Sequence, residues 1–502
     1  MDIPEIVFPS NDKDFISNPY PYLKELREGS PLHLDTESGL VLVTHFEDVK
    51  NVQKSKNFSS SEPENYQKKD RAMVNKQDYE FFWRTEEFNL LNLEGSIHSE
   101  LRGLVAKAFS NRQVQELRPF MEKKSKDLLK NLSSDSFDLL ADYAQPYSIS
   151  VIGELLGVPE EDYDKFLYWS HAIVKMYDLK VSDENALEAE KAAREFYIYM
   201  NDLIDSKNKD PQNDMISRLS QVSENDQKLT KDQIICTVIL LLNAGHEATV
   251  NTIGNSITAL NQNNIKTKGL HEKFEIKDII EELIRWDSPL QFFQRWVVED
   301  TELSGYELPR NSKIAILLGS ANRDNLAFNE AEKIDFKREN LSHTSFGGGV
   351  HFCLGAHLAR LELEVSFQNL FSYDIQLLAS PERTGAFGIR GFKNILVNLV
   401  SIKLEIKMSE WVLLLGGSTG HGAATAKRLA NDGYGVIAFH FDRGDAKKIA
   451  EQTIKEVNEI TKGRCHYFNT NAASEETMDK YLPKIKEITK GESLKLLLHS
   501  IA

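Results

Sequence analysis

The ten residues FGGGVHFCLG, 346–355, constrain this chain more than any other stretch: one cysteine stands among four glycines, directly ahead of the helix-like run AHLARLELE. Gly347, Gly348, Gly349 and Gly355 remove side chains where the backbone has to wind closely around the sulfur and where a flat ligand would approach. At a helix N-terminus the free amides and the positive end of the dipole favour a thiolate and lower its pKa. Cys353 therefore reads as a metal ligand in waiting; the blander reading is a glycine turn carrying an inert thiol. The other two cysteines, Cys236 in the apolar run IICTVILLL and Cys465 at the head of a strand-like run, read as buried structural thiols. No CxxC spacing is present to suggest a zinc site or an iron–sulfur centre.

The rest of the chain falls into two textures. Residues 1–407 read as mainly helical with small sheets, with helices expected around 20–29, 98–131, 160–175, 185–206, 231–262, 276–287 and 354–372. Strand-like runs occur at 40–45, 314–319 and 394–402. From Met408 to residue 502, strands and helices alternate, which predicts a parallel, doubly wound sheet and a second domain. Acidic residues outnumber basic ones, 76 to 60, for a formal charge of -16, which argues against nucleic acid as a partner. The start, MDIPEIVFPSNDKDF, lacks the basic and apolar regions of a signal peptide. No apolar run approaches the roughly 18 residues of a membrane span, so a cytoplasmic protein is expected.

The run from Phe346 to Gly355 resembles the haem-binding loop of cytochrome P450, F-G-x-G-x-[HR]-x-C-x-G, at every position. The resemblance implies that Cys353 is the axial thiolate of iron in haem b and that His351 bonds a haem propionate. Other marks of the family follow in order. EELIR matches E-x-x-R, with Glu282 and Arg285 on one helical face as a charge-assisted pair and Arg338 of FKR as the implied third member. HSELR places His98 and Arg102 one turn apart, and with Arg295 these are the implied propionate contacts. RGFKNILV resembles the family's terminal strand region.

LLLNAGHEATV, 240–250, carries a mid-helix glycine, an arrangement about 1 kcal/mol less stable than alanine. By resemblance, Ala244 and Gly245 open a groove for oxygen over the distal haem face, and Glu247 delivers protons. The family pattern then has threonine, where this chain has Ala248. Thr249 follows one residue later, about 100° around the helix, so it cannot take the same position. Either a substrate hydroxyl with ordered water completes the proton relay, or the enzyme is poorly coupled and can use peroxide. Leu241, Phe292 and Phe293, with Ala244 and Ala248, are the expected walls of an apolar substrate pocket. The aromatics Tyr66, Tyr79, Phe81, Phe82, Trp83 and Phe88 belong to a segment resembling the family's substrate-covering loop, although each alone reads as core. Terpenoid, polyketide and fatty-acyl substrates all fit. Electrons are expected from an external ferredoxin or flavodoxin and its reductase, because no redox module is visible in this chain.

In the C-terminal part, GGSTGHG after the strand WVLLL places Gly416, Gly420 and Gly422 where a helix opens. This resembles a short-chain dehydrogenase/reductase, whose glycines admit a dinucleotide pyrophosphate at a helix N-terminus. Asp442 and Arg443 follow the second strand, and Arg443 points to NADP over NAD. About four strands and no Tyr-x-x-x-Lys are present, since Tyr481 is followed at that spacing by Ile485. The expectation is a partial Rossmann-like domain, truncated and without reductase activity. The whole reads as a haem-thiolate monooxygenase. The alternatives are a reductase with a subordinate haem domain and a non-catalytic haem sensor.

Overall fold

The computed structural model describes residues 2–61, 78–132, 136–177, 181–224, 227–400, 410–416, 420–431, 434–440, 446–470, 475–490 and 493–499. They divide into two compact units, Met1–Leu399 and Val400–Ala502. The boundary expected near Met408 lies outside the described residues.

Local chemistry sets the helix ends in the first unit. Lys231–Gln262, of 32 residues, begins at a capping box: Thr230 Oγ1 accepts from the Gln233 amide, and the Gln233 side chain accepts from the Thr230 amide. Asp183–Lys209 starts on Ser182, whose side chain accepts from the Asn185 amide. The single helix expected over 98–131 is three: Gly95–Ala108, Asn111–Glu116 and Arg118–Asn131. Ser110 begins a new helix, its amide donating to the Gln113 side chain, and Pro119 has no amide with which to continue an older one. Gln145–Leu156 was not visible as a period because nine of its twelve residues are buried, so it has no polar face.

Lys231–Gln262 is the axis of this unit and packs against Gln145–Leu156, Tyr163–Val174, Ile276–Trp286 and Ala356–Leu370. An 18-residue stretch of it has mean hydropathy 1.3, enough by length and composition to cross a membrane, but 72% of that stretch is buried inside the protein. The expectation that no apolar run approaches span length is thus corrected. A helix enclosed by other helices acquires the same all-round apolarity as one enclosed by lipid.

A six-stranded sheet lies beside the helices. Its strand Lys313–Leu317 pairs in parallel with Val41–Val43 and antiparallel with Phe292–Val297. Successive strand residues point to opposite faces, so Phe293 and Arg295 share one face and Phe292 takes the other. Leu396–Val400 pairs with Phe137–Asp138 in a smaller sheet.

In the second unit the strands Glu410–Leu415, Gly435–His440, Cys465–Asn469 and Ser493–His499 are all parallel, in the spatial order third, second, first, fourth. Helices Gly420–Asn431, Ala446–Thr461 and Glu475–Thr489 connect them. Side chains alternate along the first strand: Val412 and Leu414 pack with Ala426, Ala430 and Val457, whereas Trp411 and Leu413 pack with Phe439 and Ile485. Both faces of this sheet are covered, as parallel strands require.

Candidate haem site

The loop that carries Cys353 is closed by its own backbone, the Cys353 amide donating to the Phe346 carbonyl at 2.8 Å. Gly347 and Gly349 have φ of +71° and +61°, where a Cβ is unfavourable. A Cβ on Gly349 would lie 2.6 Å from the Gln53 carbonyl oxygen. The Phe46–Lys54 helix behind the loop therefore demands this glycine, which the sequence had assigned to ligand approach. Only Gly355 borders the sulfur, with a Cβ position 4.0 Å from Cys353 Sγ. The Arg360 guanidinium lies over the Phe346 ring at 4.3 Å.

Burial raises the Cys353 thiol above its ordinary value of 9.0, and the amides of Gly355 and Ala356 with the charges of Arg102 and Arg360 oppose this without overcoming it. The lowered pKa expected from the helix N-terminus is corrected by this desolvation. A metal cation bound to the sulfur would add to the stabilisation of the thiolate that these amides and guanidinium groups supply.

Cationic and imidazole groups gather beside the loop. His98 and His351 have ring centroids 4.5 Å apart, and an Arg102 Nη2 proton is donated to the Phe352 carbonyl. His351 Nε2 lies 3.0 Å from Glu94 Oε1. Burial raises Glu94, but the hydrogen bonds from His351 and the Ser60 amide and the charges of His351 and Arg295 hold it below the usual carboxylate value. Glu94 is the carboxylate these cations face within the chain, and no motif marked it. Burial and the charges of His351 and Arg102 lower His98 to about 4. His98 Nε2 is buried with no partner in the protein, a deficit worth about 1–3 kcal/mol unless a ligand satisfies it. An orphaned imidazole nitrogen among Arg102, Arg295 and His351 suits a group with two carboxylates, as haem has.

On the long helix, Leu241, Ala244, Gly245 and Ala248 are accessible although most of their neighbours are buried. Their i, i+3, i+4, i+7 spacing makes one open stripe lined by small residues. The helix is continuous through Gly245, whose bare edge faces Ile152, with a Cβ position 3.4 Å from Ile152 Cδ1. Helix packing thus also uses this glycine. Glu247 Oε1 meets His171 Nε2, from Tyr163–Val174, at 2.9 Å. Thr249 turns away from the stripe: its hydroxyl lies 3.1 Å from the Gly245 carbonyl and 3.4 Å from Glu362 Oε2. Thr249, a catalytic candidate in the sequence, thus places its hydroxyl on the Gly245 carbonyl and Glu362 and not on the stripe.

Burial pushes the Glu362 carboxyl well above its ordinary value of 4.5, against weaker opposing bonds from Thr249 and Ser148. A raised folded pKa leaves stability complete below the unfolded value and erodes it as pH climbs toward the folded one. Glu362→Gln is expected to match the parent's melting temperature near about pH 4 and exceed it at about pH 8. Thermal melts across pH check this.

The Glu282 carboxylate and the Arg285 guanidinium form two bonds, at 2.7 and 2.8 Å, and both side chains are fully buried. Arg338 joins from another segment at 3.1 and 3.3 Å. The strand separates the two expected pocket phenylalanines. Phe293 has the Arg295 guanidinium 5.9 Å from its ring centroid, whereas Phe292 stacks on Phe387 at 5.8 Å in the N-terminal core. Phe292 is therefore withdrawn from the pocket. Tyr79, Phe81, Phe82, Trp83 and Phe88 pack against the main core, and Tyr66 lies outside the described residues.

In the second unit, Gly416 has φ +95° at the end of the first strand, and Gly420 and Gly422 open the following helix. Asp442 and Arg443 lie outside the described residues. Tyr481 packs on Phe468 and Phe439, with centroids 4.8 and 5.6 Å away.

The fold and this loop define a haem-thiolate oxidoreductase. The cytochrome P450 family model matches residues 276–375, and the short chain dehydrogenase model matches residues 410–500. The polyketide biosynthesis cytochrome P450 PksS of Bacillus subtilis (strain 168) is 32% identical over 411 residues, covering 79% of this chain and 99% of that protein. Mycinamicin IV hydroxylase/epoxidase of Micromonospora griseorubida is 37% identical over 287 residues, covering 56% of this chain and 71% of its own. The crystal structure of P450BioI with a hexadec-9Z-enoic acid-ligated acyl carrier protein matches with TM-score 0.70 at 29% identity, covering 77% of this chain and 99% of that one. The chain belongs to the cytochrome P450 family and is a monooxygenase.

Proposed function

We propose that this chain hydroxylates or epoxidises an apolar small metabolite with O2 and two electrons from a separate ferredoxin or flavodoxin and its reductase, in the cytoplasm. The carrying observation is the convergence of one half-buried thiol with His98, Arg102, Arg295 and His351 beside an orphaned imidazole nitrogen. Cys353 would hold the haem iron, and the four basic side chains would hold the propionates. Bound haem supplies the oxygen activation that no amino-acid side chain provides. Leu241, Ala244, Gly245, Ala248 and Phe293 exclude water and orient the apolar substrate. Glu247 Oε1 moves protons inward from His171 Nε2, whose side chain is 42% exposed. The word polyketide in the name of PksS and the hexadec-9Z-enoic acid in the P450BioI complex support a substrate of that kind.

Incubation with candidate metabolites and a surrogate ferredoxin system tests this: Soret-shifting ligands are expected to yield oxygenated product, and a shift with no product overturns the catalytic reading. Ala248→Thr is expected to raise product formed per oxygen consumed. Unchanged coupling would remove any role for that position.

For the second unit, the parallel strand order and the left-handed Gly416 support binding of NADP or NAD at the first strand's end. Tyr481 is built into the core, so reductase turnover is not expected. Titration of NADPH against the protein, read by nicotinamide fluorescence, checks binding.

A further inference from the structure

Where Tyr163–Val174 meets the long helix, the structure brings together His171, His246 and Glu247, whose ligand atoms all lie within 4.8 Å of one another. His246 is fully buried and neither ring nitrogen has a hydrogen-bond partner in the protein. Two unpaired nitrogens on a buried ring are costly, and the haem reading does not use them. We infer that His171, His246 and Glu247 form a binding site for a zinc-class divalent metal ion that joins the two helices.

The ligand set is two imidazoles and one carboxylate, which suits zinc and leaves a fourth position for water. Tetrahedral zinc with ligand bonds of about 2.0–2.2 Å sets ligand atoms about 3.4 Å apart. His171 Nε2 and Glu247 Oε1, at 2.9 Å, already lie within that separation. The widest separation in the cluster exceeds it by little more than an ångström, which side-chain rotation absorbs. Burial, against the charge of Glu247, holds His246 near 4, so its imidazole is neutral with a free lone pair. Glu247 is held below its ordinary value, the hydrogen bond and charge of His171 opposing its burial. His171 is half-exposed and gives the ion a path from solvent.

A bound ion would take the carboxylate that moves protons, so zinc would act as a reversible inhibitor. This consequence, unlike the binding, rests on the role proposed for Glu247.

The test uses haem-loaded full-length protein treated with chelator and then titrated with zinc against a chromogenic indicator. One equivalent is expected per chain, with affinity reduced at least about tenfold in His171→Gln and in His246→Gln. His171→Gln changes a half-exposed side chain, so it answers the question even if His246→Gln fails to fold. No zinc uptake, or uptake that His171→Gln leaves unchanged, overturns the site. Zinc is further expected to slow turnover of the parent, with recovery on adding chelator, and at the same concentration to slow His171→Gln by a smaller factor relative to that variant's own zinc-free rate. Zinc bound at these residues with unaltered turnover overturns the inhibitory role and leaves the site standing.

Discussion

Cys353→Ser is expected to abolish oxygenation and to remove the strongly red-displaced Soret band of the reduced, carbon monoxide-treated protein. The band reports thiolate ligation, and Cys353 would supply bound haem with the electron donation that marks this class. A serine hydroxyl is far harder to deprotonate than a thiol, and the site offers it too little compensation. Burial already raises Cys353 against the pull of two amides and two guanidinium groups. The fold need not suffer, because the loop is held by the Cys353 amide and by the glycines packed on Gln53, not by the sulfur. Absorbance spectra and product assays on the purified variant check both parts. Serine protein that kept the displaced band would refute sulfur ligation at this position.

Arg285→Ala is expected to prevent accumulation of folded, haem-containing protein. All five N–H donors of the guanidinium are engaged: two with Glu282, and three with the carbonyls of Asn322, Ala331 and Lys333, at 2.7 to 3.0 Å. Removal would leave Glu282 charged in a fully buried position, supported only by Arg338 and the Asp335 amide. Breaking a buried pair in this way costs about 3–5 kcal/mol, against a total stability of about 5–15 kcal/mol for a domain. Arg285→Lys keeps the charge but cannot serve five acceptors in a plane, and a large loss is expected there too. Soluble yield, haem content and melting temperature measure it. A lysine variant melting within a few degrees of the parent would show that charge alone suffices.

Much of this was legible along the chain because it depends on short spacings. Glu282 and Arg285 sit three apart on one helix, the glycines and Cys353 share ten residues, and WVLLL ahead of GGSTGHG marks a strand followed by a helix without knowledge of any partner. The helix ahead of Asn111 was misread for a local reason as well, since Ser110 and Pro119 interrupt an otherwise continuous apolar period. The partners of the helix stripe were not legible. His171 comes to Glu247 from another helix, and no period in either segment announces the other.

The sequence alone therefore determined the family, the two textures of the chain and the residues that carry short motifs, because helix and strand periods and cap chemistry are local. Only tertiary structure decided where those residues point. It turned Thr249 toward Glu362, sent Phe292 and Phe293 to opposite sides of a strand, and set Gly349 against the Gln53 carbonyl. It also raised Cys353 and Glu362 by burial. Orientation and desolvation are properties of packed neighbours distant in the chain, and such neighbours leave no mark in the spacing of the residues they surround.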